Sequence, residues 1–329
     1  MTTRVVCYGL GPIGAGIARL ACMRAGIQVV GAIDIDPQKT GRDLGELLGR
    51  DAMGIAVSAD AADTLRRVRP DVVLHATQSA LAAVAPQLHE CIVVGADVIS
   101  TCEELAYPWS AQPQIAADLD AAARAAGVTL FGAGVNPGYA MDALPVMLTA
   151  ACAEVRAVRV MRVVDAAQRR GPLQRKIGAG LTLEAFMQRV HEGAVRHVGL
   201  PESLHMIAAA LGWRLDASDT MIMAILAERA IATEHVFVEA GYVAGVHQIA
   251  RGYIGERDVI TLDLRMYVGA PDPQDTVEID GDPPLRMTIA GGIHGDIATA
   301  AIVVNAIASV RKAESGLLSV TDVPIVHYW

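Results

Sequence analysis

The sequence predicts an α/β protein: a Rossmann-type, doubly wound parallel sheet, followed by a second α+β domain built on a largely antiparallel sheet. Three observations carry that prediction. Up to about residue 135, strand-like and helix-like segments alternate, and the strands are apolar on both faces, as a parallel sheet covered by helices requires. A Gly-x-Gly-x-x-Gly loop stands directly between the first strand and the first helix. After Asn136-Pro137-Gly138 the texture changes to helices followed by a run of longer strands.

Taken in order, RVVCYGL reads as a strand, IGAGIARLACMRAG as a helix and IQVVGAID as the second strand. DVVLHAT, DVIST and VTLFGAG are further strands, with SALAAVAPQLHECIVVG and QPQIAADLDAAARAAG as helices between them. In the second half, MDALPVMLTAACAEV is a helix, AVRVMRVVDA a strand, and LTLEAFMQRVHEG and PESLHMIAAALGW are helices. EHVFVEAGYVAGVHQIARGYI, DVITLDLRMYVG and PLRMTIAGG supply the long strands, and TAAIVVNAIASVRKA is the final helix. The expected domains are residues 1–138, which bind a dinucleotide, and 139–298, the α+β substrate domain. A C-terminal helix and tail, 299–329, return to the first.

Composition narrows the class. The chain has 329 residues, enough for two domains with real cores. It is 53% hydrophobic, yet no run reaches the roughly 18 apolar residues of a membrane span, so no membrane partner is expected. The N-terminus enters a strand pattern at once, without a basic stretch or cleavage site, so no secretion signal is expected. Five cysteines, odd in number and without CxxC spacing, fit reduced thiols in a cytoplasmic protein. A net charge of −9 with no basic cluster argues against nucleic acid.

The loop VVCYGLGPIGAGIARL carries Gly9-Leu10-Gly11-Pro12-Ile13-Gly14. Gly9 permits the tight turn, Gly11 lets backbone approach a pyrophosphate, and Gly14 allows close helix–strand packing. The free N–H groups of the helix start favour phosphate. Asp34, twenty residues beyond Gly14 at the end of the second strand, suits the ribose hydroxyls. NAD(P) is therefore the expected cofactor, with NAD slightly favoured. Lys39 and Arg42 follow closely and could meet a 2′-phosphate, or could be solvated loop cations.

In such a sheet, ligands sit beyond the carboxyl ends of the strands. That rule puts His75, Ala76 and Thr77 beside the cofactor, with a buried structural histidine as the alternative. It puts Thr101, Cys102, Glu103 and Glu104 at the next exit, and Asn136 and Tyr139 at a third. Two adjacent carboxylates repel each other and resist desolvation, so at a strand mouth they face water or do chemistry. The alternative is that they start a helix and favour its N-terminal dipole. Tyr107, Trp109, Tyr139, His294 and Thr299 are the expected substrate-lining residues, with domain packing as their alternative. His294 could close the crevice from the second domain, and Asp296 could instead be no more than the N-cap of the last helix.

Other chemistries lack a pattern. The nine histidines show no HxxxH or HExxH spacing, so no metal is expected. There is no GxSxG elbow. Lys39, Lys176 and Lys312 are the only lysines that could form a Schiff base, and Arg169-Arg170 could hold a substrate carboxylate or be surface charge.

The first half resembles the N-terminal domain of dihydrodipicolinate reductase. Together, CYGLGPIG, AIDIDPQKTGRDLGELLG, HATQS, STCEELAYPW, GVNPGYAMD, RRGPLQRKIGAG, HVGLPESLHMIAAALGW and GGIHGDIATA resemble the 2,4-diaminopentanoate dehydrogenases and native amine dehydrogenases over nearly the whole chain. The resemblance implies a homodimer that uses NAD(P) to aminate a small ketone or aldehyde with ammonia, reversibly, as an amine dehydrogenase. It implies one catalytic glutamate in the CEE segment, leaning to Glu104 with Glu103 as its rival. A 2,4-diaminopentanoate dehydrogenase is the nearest alternative, an imine or semialdehyde reductase a further one. A non-catalytic nucleotide-binding regulator is the most distant.

Overall fold

The computed structural model describes residues 2–329, which form two compact units, residues 2–139 with 294–329 and residues 140–293.

The first unit opens with β1 (Thr3–Tyr8), α1 (Pro12–Met23), β2 (Ile27–Ile33), α2 (Leu44–Leu47), β3 (Val57–Ser58) and α3 (Ala61–Val68). It continues with β4 (Val72–His75), α4 (Leu81–Val93), β5 (Asp97–Ser100), α5 (Pro113–Ala126) and β6 (Thr129–Gly132). The second unit holds α6 (Ala143–Leu148), β7 (Glu154–Asp165), α7 (Gly171–Lys176), α8 (Leu183–His191), α9 (Leu200–Ala210) and β8 (Ala217–Leu226). It ends with β9 (Ile231–Ala232), β10 (Phe237–Val238), β11 (Val243–Ile254), β12 (Arg257–Tyr267), β13 (Gln274–Asp282) and β14 (Leu285–Ala290). The chain then completes the first unit with α10 (Gly295–Val310) and β15 (Gly316–Leu318).

The first unit is a seven-stranded sheet in the order β15-β6-β5-β4-β1-β2-β3, every neighbouring pair parallel. The order reverses between β1 and β4, the switch point where doubly wound sheets bind ligands. Its strands are buried on both faces. Val5, Cys7 and Leu74 pack with Ile17 of α1 and Val303 of α10 on one side. Val6, Val73 and Val98 pack with Leu65 of α3, Leu88 of α4 and Leu119 of α5 on the other. Local signals start and stop the helices. Pro12 and Pro113 stand in the first turns of α1 and α5, where the missing N–H costs nothing. Gly127, at φ 69°, ends α5 with its N–H on Ala123 O.

The second unit carries a six-stranded sheet, β14-β13-β7-β12-β11-β8, antiparallel except for the β7–β12 pair. Alternation gives it two unlike faces. Val246, Gln248 and Ala250 of β11 and Leu262 and Leu264 of β12 are buried, and α9 packs against these two strands. The opposite face presents His247, Asp263 and Arg265.

Several stretches differ from the sequence expectation; AADTLRRV (α3) and QDTVEIDGD (β13), for example, are unassigned there. MDALPVMLTAACAEV yields only the short α6 and a 3-10 turn before β7 begins at Glu154. ASDTMIMAIL, unassigned in the sequence, is β8, an edge strand. GLL, read as part of the tail, is β15 and extends the parallel sheet beside β6. Among the described residues, no helix is long and apolar enough to cross a membrane.

Candidate active site

The β1–α1 loop has the geometry its glycines predict. Gly9 sits at φ 91°, and a Cβ there would lie 2.3 Å from the Ala76 carbonyl oxygen, so β4 and the loop approach too closely for any side chain. A Cβ on Gly14 would meet the Gly9 carbonyl at 1.9 Å. A Cβ on Gly11, by contrast, meets nothing within 4 Å, and no side chain caps the start of α1 there. Open space over unspent helix N–H groups is what a pyrophosphate needs. The chain's own residues therefore fit a dinucleotide, held by Gly9 through Gly14.

Asp34 follows β2 and ties the loop to it. Its Oδ2 accepts from Leu10 N at 2.7 Å and Lys39 Nζ at 3.1 Å, and its Oδ1 from Asp36 N at 2.8 Å. Burial alone would raise its pKa, but the Asp36 and Leu10 amides and the Lys39 ammonium together hold it below the usual carboxylate value. Lys39 also pairs with Asp36 at 3.3 Å. The cation is thus engaged by two carboxylates, and Ile35 beside them is exposed.

His75, at the end of β4, is fully buried. One ring nitrogen lies 2.8 Å from Ser100 Oγ, the other 2.8 Å from Gln87 Oε1 and 3.1 Å from Thr77 Oγ1. Tyr8 packs edge-on against the ring at 5.2 Å. Burial pushes its pKa down to about 4, opposed only by the Gln87 hydrogen bond, so the ring is neutral. This is the structural alternative of the sequence reading: the imidazole serves the interior, and Ala76 is what β4 presents to the Gly9 turn. Ser100 Oγ also accepts from Cys102 N at 3.1 Å, so the network shapes the β5 exit. Cys102 is itself buried, its thiol pushed up to about 12 by that burial and held on Ser79 O at 3.1 Å.

The two glutamates in the following 3-10 turn are not equivalent. The start of α4 has Ala80 at the capping position, which offers no side-chain acceptor. Glu104 supplies it from outside the helix: its Oε2 accepts from Leu81 N at 2.8 Å and from Gln112 Nε2 at 2.6 Å. The carboxylate stabilises the positive end of α4 and bridges to the start of α5. Glu103 is partly exposed, and among the described residues its carboxylate has no hydrogen-bond or ion-pair partner. Nothing in the sequence distinguishes the pair.

The expected substrate-lining residues lie in the same unit. Tyr107 and Trp109 stack at a 58° tilt, 5.0 Å apart, and Trp109 also packs on the core between sheet and α4–α5. At the β6 exit, Asn136 is buried and Tyr139 partly exposed. Val135 N donates to Thr299 Oγ1 of α10 at 3.3 Å, tying that exit to the last helix. His294, not Asp296, caps α10, its Nδ1 accepting from Ile297 N at 3.4 Å. The return to the first unit accordingly falls at His294, a few residues before the expected 299. Thr101, at the β5 exit, donates its N–H to His75 O at 2.9 Å. Arg169 and Arg170 lie in the second unit. Among the described residues no group of three or more His, Cys, Asp or Glu could hold a metal.

A parallel sheet with a dinucleotide loop at its switch point and a carboxylate at the neighbouring exit defines an NAD(P)-binding oxidoreductase. Residues 139–329 match the family model of the 2,4-diaminopentanoate dehydrogenase C-terminal domain, and residues 3–102 that of the dihydrodipicolinate reductase N-terminus. The chain is 31% identical to the 2,4-diaminopentanoate dehydrogenase of Acetoanaerobium sticklandii, over 98% of this chain and 93% of that one. It is 24% identical to the amine dehydrogenase of Streptomyces virginiae, covering 97% and 96%. The solved amine dehydrogenase of Mycobacterium smegmatis superposes with a TM-score of 0.89 at 28% identity, covering 100% and 98%. The chain belongs to the 2,4-diaminopentanoate dehydrogenase family and is an oxidoreductase acting on amines.

Proposed function

We propose that the protein is an NAD(P)-dependent amine dehydrogenase that aminates small ketones or aldehydes with ammonia and, in reverse, deaminates the amines oxidatively. The observation that carries the reading is the division of labour between the two glutamates. Glu104 is committed to α4 and Gln112, whereas Glu103 is free to exchange a proton at the β5 exit. We therefore assign the acid–base role to Glu103, the rival of the residue to which the family resemblance leans.

A dinucleotide whose pyrophosphate is held at Gly9–Gly14 would supply or take the hydride. The chain's own part is proton transfer and charge. The Glu103 carboxylate accepts a proton from ammonium, so that neutral ammonia adds to the carbonyl. It returns that proton to the carbinolamine hydroxyl, which leaves as water. The carboxylate then faces the iminium cation and stabilises it until the carbon is reduced. Tyr107, Trp109 and Tyr139 supply the apolar wall around the substrate.

Asp34 favours NAD over NADP, since a 2′-phosphate would meet its charge, and Lys39 is already spent on Asp34 and Asp36. A homodimer is supported by the second sheet's exposed face, where Met221 is 46% exposed beside Ile249 of β11. The five unpaired cysteines support a cytoplasmic location. The deciding experiment is NAD(P)H consumption over a set of small aldehydes and ketones, with and without ammonium. Consumption that requires ammonium is expected. Ammonium-independent consumption would make the protein a carbonyl or imine reductase, and turnover confined to 2,4-diaminopentanoate would favour the narrower family activity.

A further inference from the structure

Ser100, the last residue of β5, is fully buried and joins the ends of β4, β5 and β6. Its backbone carbonyl accepts from Ala133 N, just past β6, at 2.8 Å. Its hydroxyl lies between Cys102 N at 3.1 Å and His75 Nδ1 at 2.8 Å. Chemistry sets the direction of these bonds. Gln87 Oε1 can only accept, and it takes the Thr77 hydroxyl at 2.8 Å and His75 Nε2 at 2.8 Å. The neutral ring therefore carries its proton on Nε2, and its Nδ1 accepts from Ser100. Donors run one way, from Cys102 N through Ser100 and His75 to Gln87. A protonated ring would turn Nδ1 into a donor and drive the Ser100 hydrogen out of that line.

The turn that follows, Glu103–Leu105, is seated at both ends. At its front Cys102 N is held by Ser100, and Ser79 O takes Cys102 Sγ at 3.1 Å and Glu104 N at 3.3 Å. At its rear Leu105 and Ala106 are buried. There the β6 backbone comes so close that a Cβ on Gly132 would lie 2.6 Å from Ala106 N. Glu103 stands between these seats, on backbone with little room to drift. Replacing both partners of a buried polar contact by apolar groups of the same shape is close to neutral for stability. What the polar line adds is direction rather than strength.

We propose that Ser100 and His75 are positioning residues for the acid–base carboxylate. The hydroxyl and the imidazole fix Cys102 N, and through it the direction in which Glu103 leaves the β5 exit. Neither residue acts on the reacting atoms. The proposal rests on the assignment of proton transfer to Glu103.

The test is a double-mutant cycle on kcat. It uses the full chain with NADH, ammonium and the small ketone or aldehyde consumed fastest in the ammonium screen. Ser100→Ala removes one buried hydroxyl. It is expected to lower kcat about tenfold or more, with both KM values changed by less than about twofold. In a Glu103→Gln background the same substitution is expected to be silent, because the group it misdirects no longer transfers a proton. His75→Gln breaks the line on the far side of Ser100. It should follow the same pattern, and it carries the test where Ser100→Ala does not fold. Equal losses in both backgrounds mark a general loosening of the unit and overturn the proposal. Wild-type kcat in either folded variant, beside a slow Glu103→Gln, overturns the proposal and leaves the acid–base reading standing. Normal turnover in Glu103→Gln, or a screen without ammonium-dependent consumption, overturns that reading and the proposal with it.

Discussion

Gln112 Nε2 donates to Glu104 Oε2 at 2.6 Å, and the same oxygen takes Leu81 N at 2.8 Å. One carboxylate thus closes the mouth of β5 onto two helices, while its neighbour Glu103, equally half-buried, makes no such bond. Glu103→Gln should lower the turnover number by about 10²–10⁴-fold, the range of general acid–base assistance, with cofactor affinity unchanged. Glu104→Gln keeps an acceptor but removes the charge at the start of α4. It should act chiefly on stability, by about 1–3 kcal/mol, seen as a lower denaturation midpoint. Normal turnover in Glu103→Gln, with loss in a stably folded Glu104→Gln, would reverse the assignment.

Asp34 holds the dinucleotide loop through Leu10 N and the adjacent cation through Lys39. Asp34→Ala should weaken NADH binding and raise the relative use of NADPH, since Lys39 would then be released toward a 2′-phosphate. Lys39→Ala should widen the preference for NADH. Dissociation constants for both cofactors check this; a wild-type preference for NADPH that survives Asp34→Ala would place the ribose elsewhere.

His75 makes acid stability measurable. Its folded pKa is about 4, below the ordinary 6.5, so between these values the unfolded chain binds a proton that the native state refuses. The stability this site contributes is full above pH 6.5 and is lost as pH falls toward 4, on the order of 3 kcal/mol. Melting temperatures of the wild type should decline over that window, and His75→Gln should show a shallower decline. Equal slopes for the two proteins would mean that the histidine does not stay neutral.

Trp109 and Tyr139 separate wall from core. Trp109 packs against the α4–α5 core, so Trp109→Ala should lower the melting temperature as well as admit longer ketones, at a cost of about 1–3 kcal/mol. Tyr139→Ala should extend the accepted chain length at smaller cost. A ketone length series run beside thermal melts distinguishes the two effects. Unaltered ranges in both variants would leave these residues as packing only.

Met221, 46% exposed on β8, tests the proposed dimer. Met221→Asp should shift sedimentation toward the monomer without unfolding the second unit, because an exposed charge there costs nothing until a partner desolvates it. A wild type that sediments as a monomer would dispose of the idea directly.

Local patterns determined the nucleotide-binding half. Its strands are apolar on both faces, its helices are bounded by Pro, Gly and Asp, and the glycine loop admits one conformation, so period and punctuation were enough. The second sheet was legible in β11 and β12, and β13 went unassigned. It was not legible in β8, whose residues are mostly exposed or half-buried along an edge. In the first sheet β15 was not legible either, where three residues become a strand only because β6 offers an unpaired neighbour. The site followed the same division. The rule that ligands gather at strand ends located the segments holding His75, Cys102 and Glu103, because backbone direction is set by the fold class. It could not say where side chains point. His75 turns toward Gln87 and Ser100, His294 rather than Asp296 caps α10, and Gln112 and Leu81 converge on Glu104 and not on Glu103. Such choices depend on which distant donors arrive within hydrogen-bond reach, and only packing brings them there.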